Sequence, residues 1–271
     1  MTKTIQYPSH WTDMSNYLVH FANGKAAAKG MSAAKLKRAT DPGYWAMLSI
    51  LSGANLKPGP FGIGRKLAPD IEQQKVVCFS EIPPGEWLRL SERRKSQFGI
   101  GFSKQFISER GGGPVWYARK GSNQNKALNK LMKLGADDPE NPIWLITAMI
   151  DAPGVYGWSS YEYEWEREWR HIGALTFEPK DVAFLFIPEE LHPQARAFFS
   201  DVYHNNTGPA YFCPFIDAKW SRSRVEEELH KDPVQVAPDP PAYEEQYEEW
   251  DDGNGRRGSM RVTRLRRLSK E

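Results

Sequence analysis

The densest chemistry in the chain lies between Tyr161 and His171, which reads Tyr-Glu-Tyr-Glu-Trp-Glu-Arg-Glu-Trp-Arg-His. Four carboxylates and two guanidiniums are interleaved there with four aromatic rings. Counted with period two, Tyr161, Tyr163, Trp165, Arg167 and Trp169 share one side, and Glu162, Glu164, Glu166, Glu168 and Arg170 the other. A strand would set an aromatic wall behind a row of carboxylates. A helix would oppose Glu164 to Glu168 at i,i+4 while pairing Glu166 with Arg170. The following run Ile172-Gly-Ala-Leu-Thr-Phe177 favours the extended form. Two meanings stay open. The stretch is either a solvated charged face, or a place where indole rings keep a carboxylate dry enough to act on a cationic substrate or a developing positive charge.

The second chemical residue is His20, inside the apolar run Tyr17-Leu-Val-His-Phe21. It is either a core histidine bonded to a carbonyl or a ligand-holding group. No HxH, HExxH or spaced cysteine accompanies any histidine, which argues against a metal centre. Cys78 and Cys213 lie far apart in apolar runs and read as reduced, buried thiols. Phe98-Gly-Ile-Gly-Phe102 is half of a dinucleotide fingerprint without its third glycine. Phe61-Gly-Ile-Gly64 repeats the pattern in a loop, where turn chemistry suffices. No P-loop motif exists. Arg65, Arg93 and Arg94 can meet a phosphate or simply face water.

These groups must be positioned by ordinary elements. Strands are expected at Tyr17–Phe21, Val76–Ser80, Phe98–Ser103, Pro114–Ala118 and Val182–Ile187. Helices are expected over 26–37, from Pro42 to Gly53 with Trp45, Leu48 and Leu51 on one face, and over Glu86–Lys95. Further helical segments are expected over Gln105–Arg110 and over Pro188–Val202, and Asn123–Leu134 would bury Ala127, Leu128, Leu131 and Leu134. Ile143–Ile150 is apolar throughout, so periodicity leaves it helix or strand. The glycines of Phe98–Ser103 imply close approach of another backbone or a ligand. The order implies an α+β domain over residues 1–235 with a mostly antiparallel sheet and short surrounding helices.

A net charge of +2 gives no global attraction to nucleic acid. The longest apolar runs are too short to cross a bilayer, so the chain reads as soluble and cytoplasmic, with no membrane partner. From 236 to 271 the composition turns acidic and then basic. That segment reads as a charged, disordered tail; its acidic half can fold back on the basic half, or its arginines can touch nucleic acid or a partner.

Six segments taken together resemble a known family. They are Leu18-Val-His-Phe21, Leu48-Ser-Ile-Leu-Ser-Gly53, Val77-Cys-Phe-Ser-Glu-Ile-Pro83, Phe98-Gly-Ile-Gly-Phe-Ser-Lys104, Gly113-Pro-Val-Trp-Tyr117 and Glu166-Arg-Glu-Trp-Arg170. Their order, over about residues 17 to 190, resembles the AbiGi-type abortive phage resistance family, whose antitoxin label need not mean an enzyme. More distantly the layout resembles the ADP-ribosyltransferase superfamily, especially DarT-like toxins, which implies a split, mostly antiparallel sheet and NAD as substrate. On that resemblance His20 would hold the nicotinamide-side ribose or amide. Phe79 and Ser80 would line the nicotinamide pocket, and Tyr44 or Phe102 would stack on the ring. Glu168, or else Glu166, would bond the ribose 2′-hydroxyl and stabilise an oxocarbenium-like transition state. Arg170 would position that glutamate or grip the pyrophosphate. The implied activity is antiphage ADP-ribosyl transfer onto nucleic acid or protein. The alternative is a non-catalytic antitoxin or phage-sensing module that binds a cognate toxin, antitoxin or phage protein. A metal-dependent nuclease is a third possibility.

Overall fold

A computed structural model describes residues 14–22, 42–83 and 85–230, and the strand backbones of 243–251 and 257–265. The helix expected over 26–37 lies outside the described residues. In chain order the elements are β1 (Tyr17–Phe21), α1 (Pro42–Gly53), β2 (Asn55–Leu56), β3 (Gly59–Pro60), β4 (Lys75–Ser80), α2 (Trp87–Arg94) and β5 (Gly99–Ser103). Then follow α3 (Lys104–Glu109), β6 (Gly113–Pro114), β7 (Trp116–Tyr117), α4 (Asn123–Leu134), α5 (Ile143–Thr147), β8 (Ile150–Asp151), β9 (Gly154–Tyr156) and β10 (Ser159–Tyr161). The chain continues through β11 (Glu168–Ile172), β12 (Leu175–Thr176), β13 (Val182–Phe186), α6 (His192–His204), β14 (Phe215–Ile216), α7 (Arg222–His230), β15 (Tyr243–Asp251) and β16 (Arg257–Leu265).

The expected α+β class holds, with a mostly antiparallel sheet. Its strand order is β14-β13-β5-β1-β4-β11-β6, with β3 added against β4; within it only β13 and β14 run parallel. β1 pairs with β5 along its whole length, from Tyr17 opposite Ser103 to Phe21 opposite Gly99. On its other edge β1 meets β4 at the single pair Val19 and Ser80.

Alternation along the strands separates two cores. Leu18, Val77, Phe79, Ile100, Phe102 and Leu185 pack on one face. Val19, Phe21, Phe184 and Phe186 pack on the other, beneath Trp87 and Leu90 of α2. The glycines of β5 admit neighbours, as expected, and the neighbour is protein: a Cβ on Gly101 would collide with the Phe184 ring, and one on Gly99 would sit 3.0 Å from the His20 carbonyl oxygen. A third core beneath α4 and α5 joins Ala118, Leu128, Met132, Trp144 and Ile150.

Two helix faces differ from expectation. α4 buries Asn125, Leu128 and Met132, whereas Ala127, Leu131 and Leu134 are exposed, because the helix docks against Trp144 along a narrower stripe than its apolar residues cover. α1 buries Gly43, Ala46, Met47 and Leu51 and leaves Trp45 exposed. The ambiguous run from Ile143 resolves into α5 followed by β8. In the segment read as a disordered tail, the acidic and basic halves pair as an antiparallel hairpin, with Glu244 opposite Arg264 and Asp251 opposite Arg257 in register. No helix among the described residues is long and apolar enough to cross a membrane.

Candidate active site

The stretch 161–171 does not run as one strand. β10 ends at Tyr161, a 3-10 turn occupies Glu164–Glu166, and Arg167 adopts a left-handed φ of 46° before β11 begins at Glu168. That reversal breaks the period-two wall, and the glutamates part into an outer and an inner pair. Glu162 and Glu164 both bond Arg119 on the surface, at 2.7 Å and 2.8 Å, where screening leaves such pairs worth little. Glu166 and Glu168 turn inward, with exposures of 2% and 9%.

Glu168 is held by its neighbour two positions on. Arg170 Nε donates to Glu168 Oε1 at 3.0 Å and Arg170 Nη2 to Oε2 at 3.1 Å. The same guanidinium donates from Nη1 to the Ala148 carbonyl at 2.7 Å and from Nη2 to Asp151. Burial works against the Arg170 charge, but the Glu168 and Asp151 carboxylates outweigh it, so its pKa stands above the ordinary arginine value. The Tyr161 hydroxyl donates to the same Asp151 oxygen at 3.0 Å. The Glu168 amide donates to the Tyr117 hydroxyl oxygen at 3.0 Å; burial of that phenol, against the pull of the amide bond, pushes its pKa up to about 12. Glu168, Tyr117, Trp169, Glu81, Glu164 and Arg167 line a cleft of about 470 Å³, large enough for a small organic ligand.

Glu166 sits beside this network. Arg94 pairs with its Oε2, the Ser80 hydroxyl approaches the same oxygen at 3.5 Å, and Oε1 has no hydrogen-bond partner among the described residues. Burial therefore raises its pKa, with Arg94 opposing. Of the arginines considered for a phosphate, Arg94 is thus engaged, and Arg93 lies over the Tyr163 ring at 5.4 Å.

The residues proposed from sequence divide between the two faces of the sheet. Ser80, Cys78, Glu168 and Arg170 occupy one face, since Glu168 pairs in register with Ser80 and Arg170 with Cys78. Cys78 is half-buried, and burial first, then Glu168, hold its thiol well above the usual pKa. His20 belongs to the other face, edge-on to Phe79 at 6.0 Å. Phe79 and Cys78 are consecutive on β4, so their side chains point apart. The expected convergence of His20 and Glu168 across one pocket therefore does not form; a parity of one residue separates them. His20 instead bonds the Cys78 carbonyl through Nδ1 at 3.0 Å. A carbonyl only accepts, so Nδ1 carries the proton, and burial lowers the imidazole pKa. Phe79 and Phe102 pack edge to face at 5.9 Å and are fully buried, which makes them core and not pocket lining. Tyr44 packs on Phe98 at 5.4 Å in that same core. Asp151 and Lys120 sit on a two-residue strand and a loop that no local pattern marks, whereas Tyr117 lies in a segment that the sequence marks as a strand but gives no role at the site.

A second cleft, also of about 470 Å³, lies on the far side of Asp151, lined by Arg65, Lys66, Lys120, Asn125, Tyr156 and Tyr161 among others. Among the described residues no group of three or more histidine, cysteine or carboxylate side chains is placed to hold a metal ion. No protein-family model, characterised protein or solved structure matches the chain.

Proposed function

We propose that the chain acts in defence against phage as an ADP-ribosyltransferase, with Glu168 its catalytic carboxylate. The observation that carries the reading is that Glu168, buried at the start of β11 and clamped by Arg170, lines a cleft walled by Tyr117 and Trp169. The clamp holds the carboxylate in one direction at the cleft. In the transfer, the bond between the nicotinamide nitrogen and ribose C1′ breaks and its electron pair leaves with neutral nicotinamide. A nucleophile of the acceptor, nucleic acid or protein, bonds C1′ and gives up its proton. Positive charge builds on the ribose between these events, and Glu168 stands opposite it. The near-separation of β1 from β4 supports the split sheet that the resemblance to ADP-ribosyltransferases implies. His20, on the opposite face, takes no part.

The test is incubation of the whole chain with labelled NAD and with cellular nucleic acid or protein. Label transfer is expected, abolished by Glu168→Gln and weakened by Tyr117→Phe, which leaves the Arg170 clamp intact. Absence of both transfer and nicotinamide release removes the enzyme reading. One observation favours a second, non-catalytic reading as a binding module: Arg170 engages both oxygens of Glu168, as a purely structural ion pair would. That reading expects Glu168→Gln to leave phage protection intact and deletion of 236–271 to destroy it.

A further inference from the structure

The cleft beyond Asp151 has a charge pattern of its own. Its walls carry three cations, Arg65, Lys66 and Lys120, against the single carboxylate of Asp151. That carboxylate is already engaged by Arg170 and Tyr161, so the space has a net positive character. The cations are mounted firmly. Gly62, at φ 80°, and Gly64 press the Arg65 loop onto α5 so closely that a Cβ on either would strike Thr147. Ile63 N–H bonds the Ile150 carbonyl at 3.0 Å, and Gln74 fastens the same helix by donating to the Trp144 carbonyl at 2.9 Å while accepting from Thr147 at 3.0 Å. Lys120 is set by its backbone bond to Pro153 at 2.8 Å. Its ammonium donates to the Val155 carbonyl at 2.6 Å and lies 4.1 Å from the centre of the Tyr156 ring. Tyr156 in turn donates to the Ala152 carbonyl at 2.6 Å, which fixes the ring at the cleft mouth.

We infer that this cleft is a binding site for a nucleotide-sized anion bearing a diphosphate, with Arg65, Lys66 and Lys120 meeting the phosphate oxygens and Tyr156 offering a flat surface to the base. Guanidinium and ammonium groups on a rigid loop and hairpin suit phosphate oxygens, and a volume of about 470 Å³ suits a mononucleotide. The site stands on residues separate from Glu168 and does not require the chain to be a transferase.

Isothermal titration of the whole protein with ADP, inorganic pyrophosphate and adenosine tests it. ADP and pyrophosphate should bind saturably, more weakly as salt rises, and adenosine should not. Arg65 and Lys66 are exposed, so the double variant Arg65→Gln/Lys66→Gln should keep its thermal unfolding temperature and lose at least tenfold in ADP affinity. Ser159 also lines the cleft, so Ser159→Glu, which adds a negative charge there, should weaken ADP in the same direction. No ADP binding, equal binding of adenosine, or unchanged affinity in both variants overturns the assignment. A protein that binds ADP but releases no nicotinamide from NAD keeps this site and loses the transferase reading. One that transfers label from NAD while the double variant binds ADP with unchanged affinity keeps the transferase reading and loses this site.

Discussion

Arg170 grips Glu168 through two parallel hydrogen bonds, 3.0 Å and 3.1 Å long, from a guanidinium that no solvent reaches. The same group serves Asp151, so one buried cation answers two carboxylates. Arg170→Met leaves both carboxylates without a counter-charge and should lower unfolding free energy by about 3–5 kcal/mol. Arg170→Lys keeps the charge but not the fork and should fall between. Denaturant unfolding measures both, and equal stability of all three proteins would show that the clamp adds nothing.

His20 predicts a pH dependence. Its folded pKa lies below the ordinary 6.5 because burial disfavours the imidazolium. Between the folded value and 6.5 the unfolded chain binds the proton more readily, so stability is whole above 6.5 and declines as pH drops through that value. His20→Gln should flatten this part of the stability curve as pH falls below 6.5. Parallel curves for the two proteins would refute the attribution.

Glu166 gives the opposite sign. Its raised pKa means that the folded state holds its proton more tightly than the unfolded chain, whose ordinary value is 4.5. Its contribution therefore weakens as pH rises from 4.5 through the folded value. The stability of the wild type minus that of Glu166→Gln should shrink over that interval. Chemical denaturation at several pH values reads the difference directly.

Gly101→Ala should cost about 1–3 kcal/mol, because the added methyl meets the buried Phe184 ring across the β5–β13 pair. Restoring space with the double variant Gly101→Ala/Phe184→Leu should recover part of the loss. A single variant as stable as the wild type would mean that the ring moves freely.

Much of this architecture follows from local pattern. The apolar runs at Tyr17–Phe21, Val76–Ser80 and Val182–Ile187 become β1, β4 and β13 with bounds within a residue, because their faces are both buried and β-branched or aromatic residues fill them. The glutamate stretch was half legible. Period two holds from Glu168 onward, but the left-handed Arg167 is a tertiary compromise that no propensity announces. The relation of His20 to Glu168 depended on a register between β1, β4 and β11, where a single residue decides the face; composition is silent on that. Asp151, Lys120 and Arg65 come together only because α5 and the glycine loop meet, a contact between segments far apart in the chain. The pairing of 243–251 with 257–265 shows that polar segments of opposite charge can pair even without an apolar run.

Where β1 runs past β4, the two share one ladder pair, and an imidazole bond from His20 to the Cys78 carbonyl does the fastening that a backbone amide does elsewhere. The sheet thus contains an internal line of parting, bridged by a side chain. Amide deuteration along that edge should outpace the fully zipped β1–β5 side, and a residue first suspected of holding a ligand serves as a rivet between the halves of the protein.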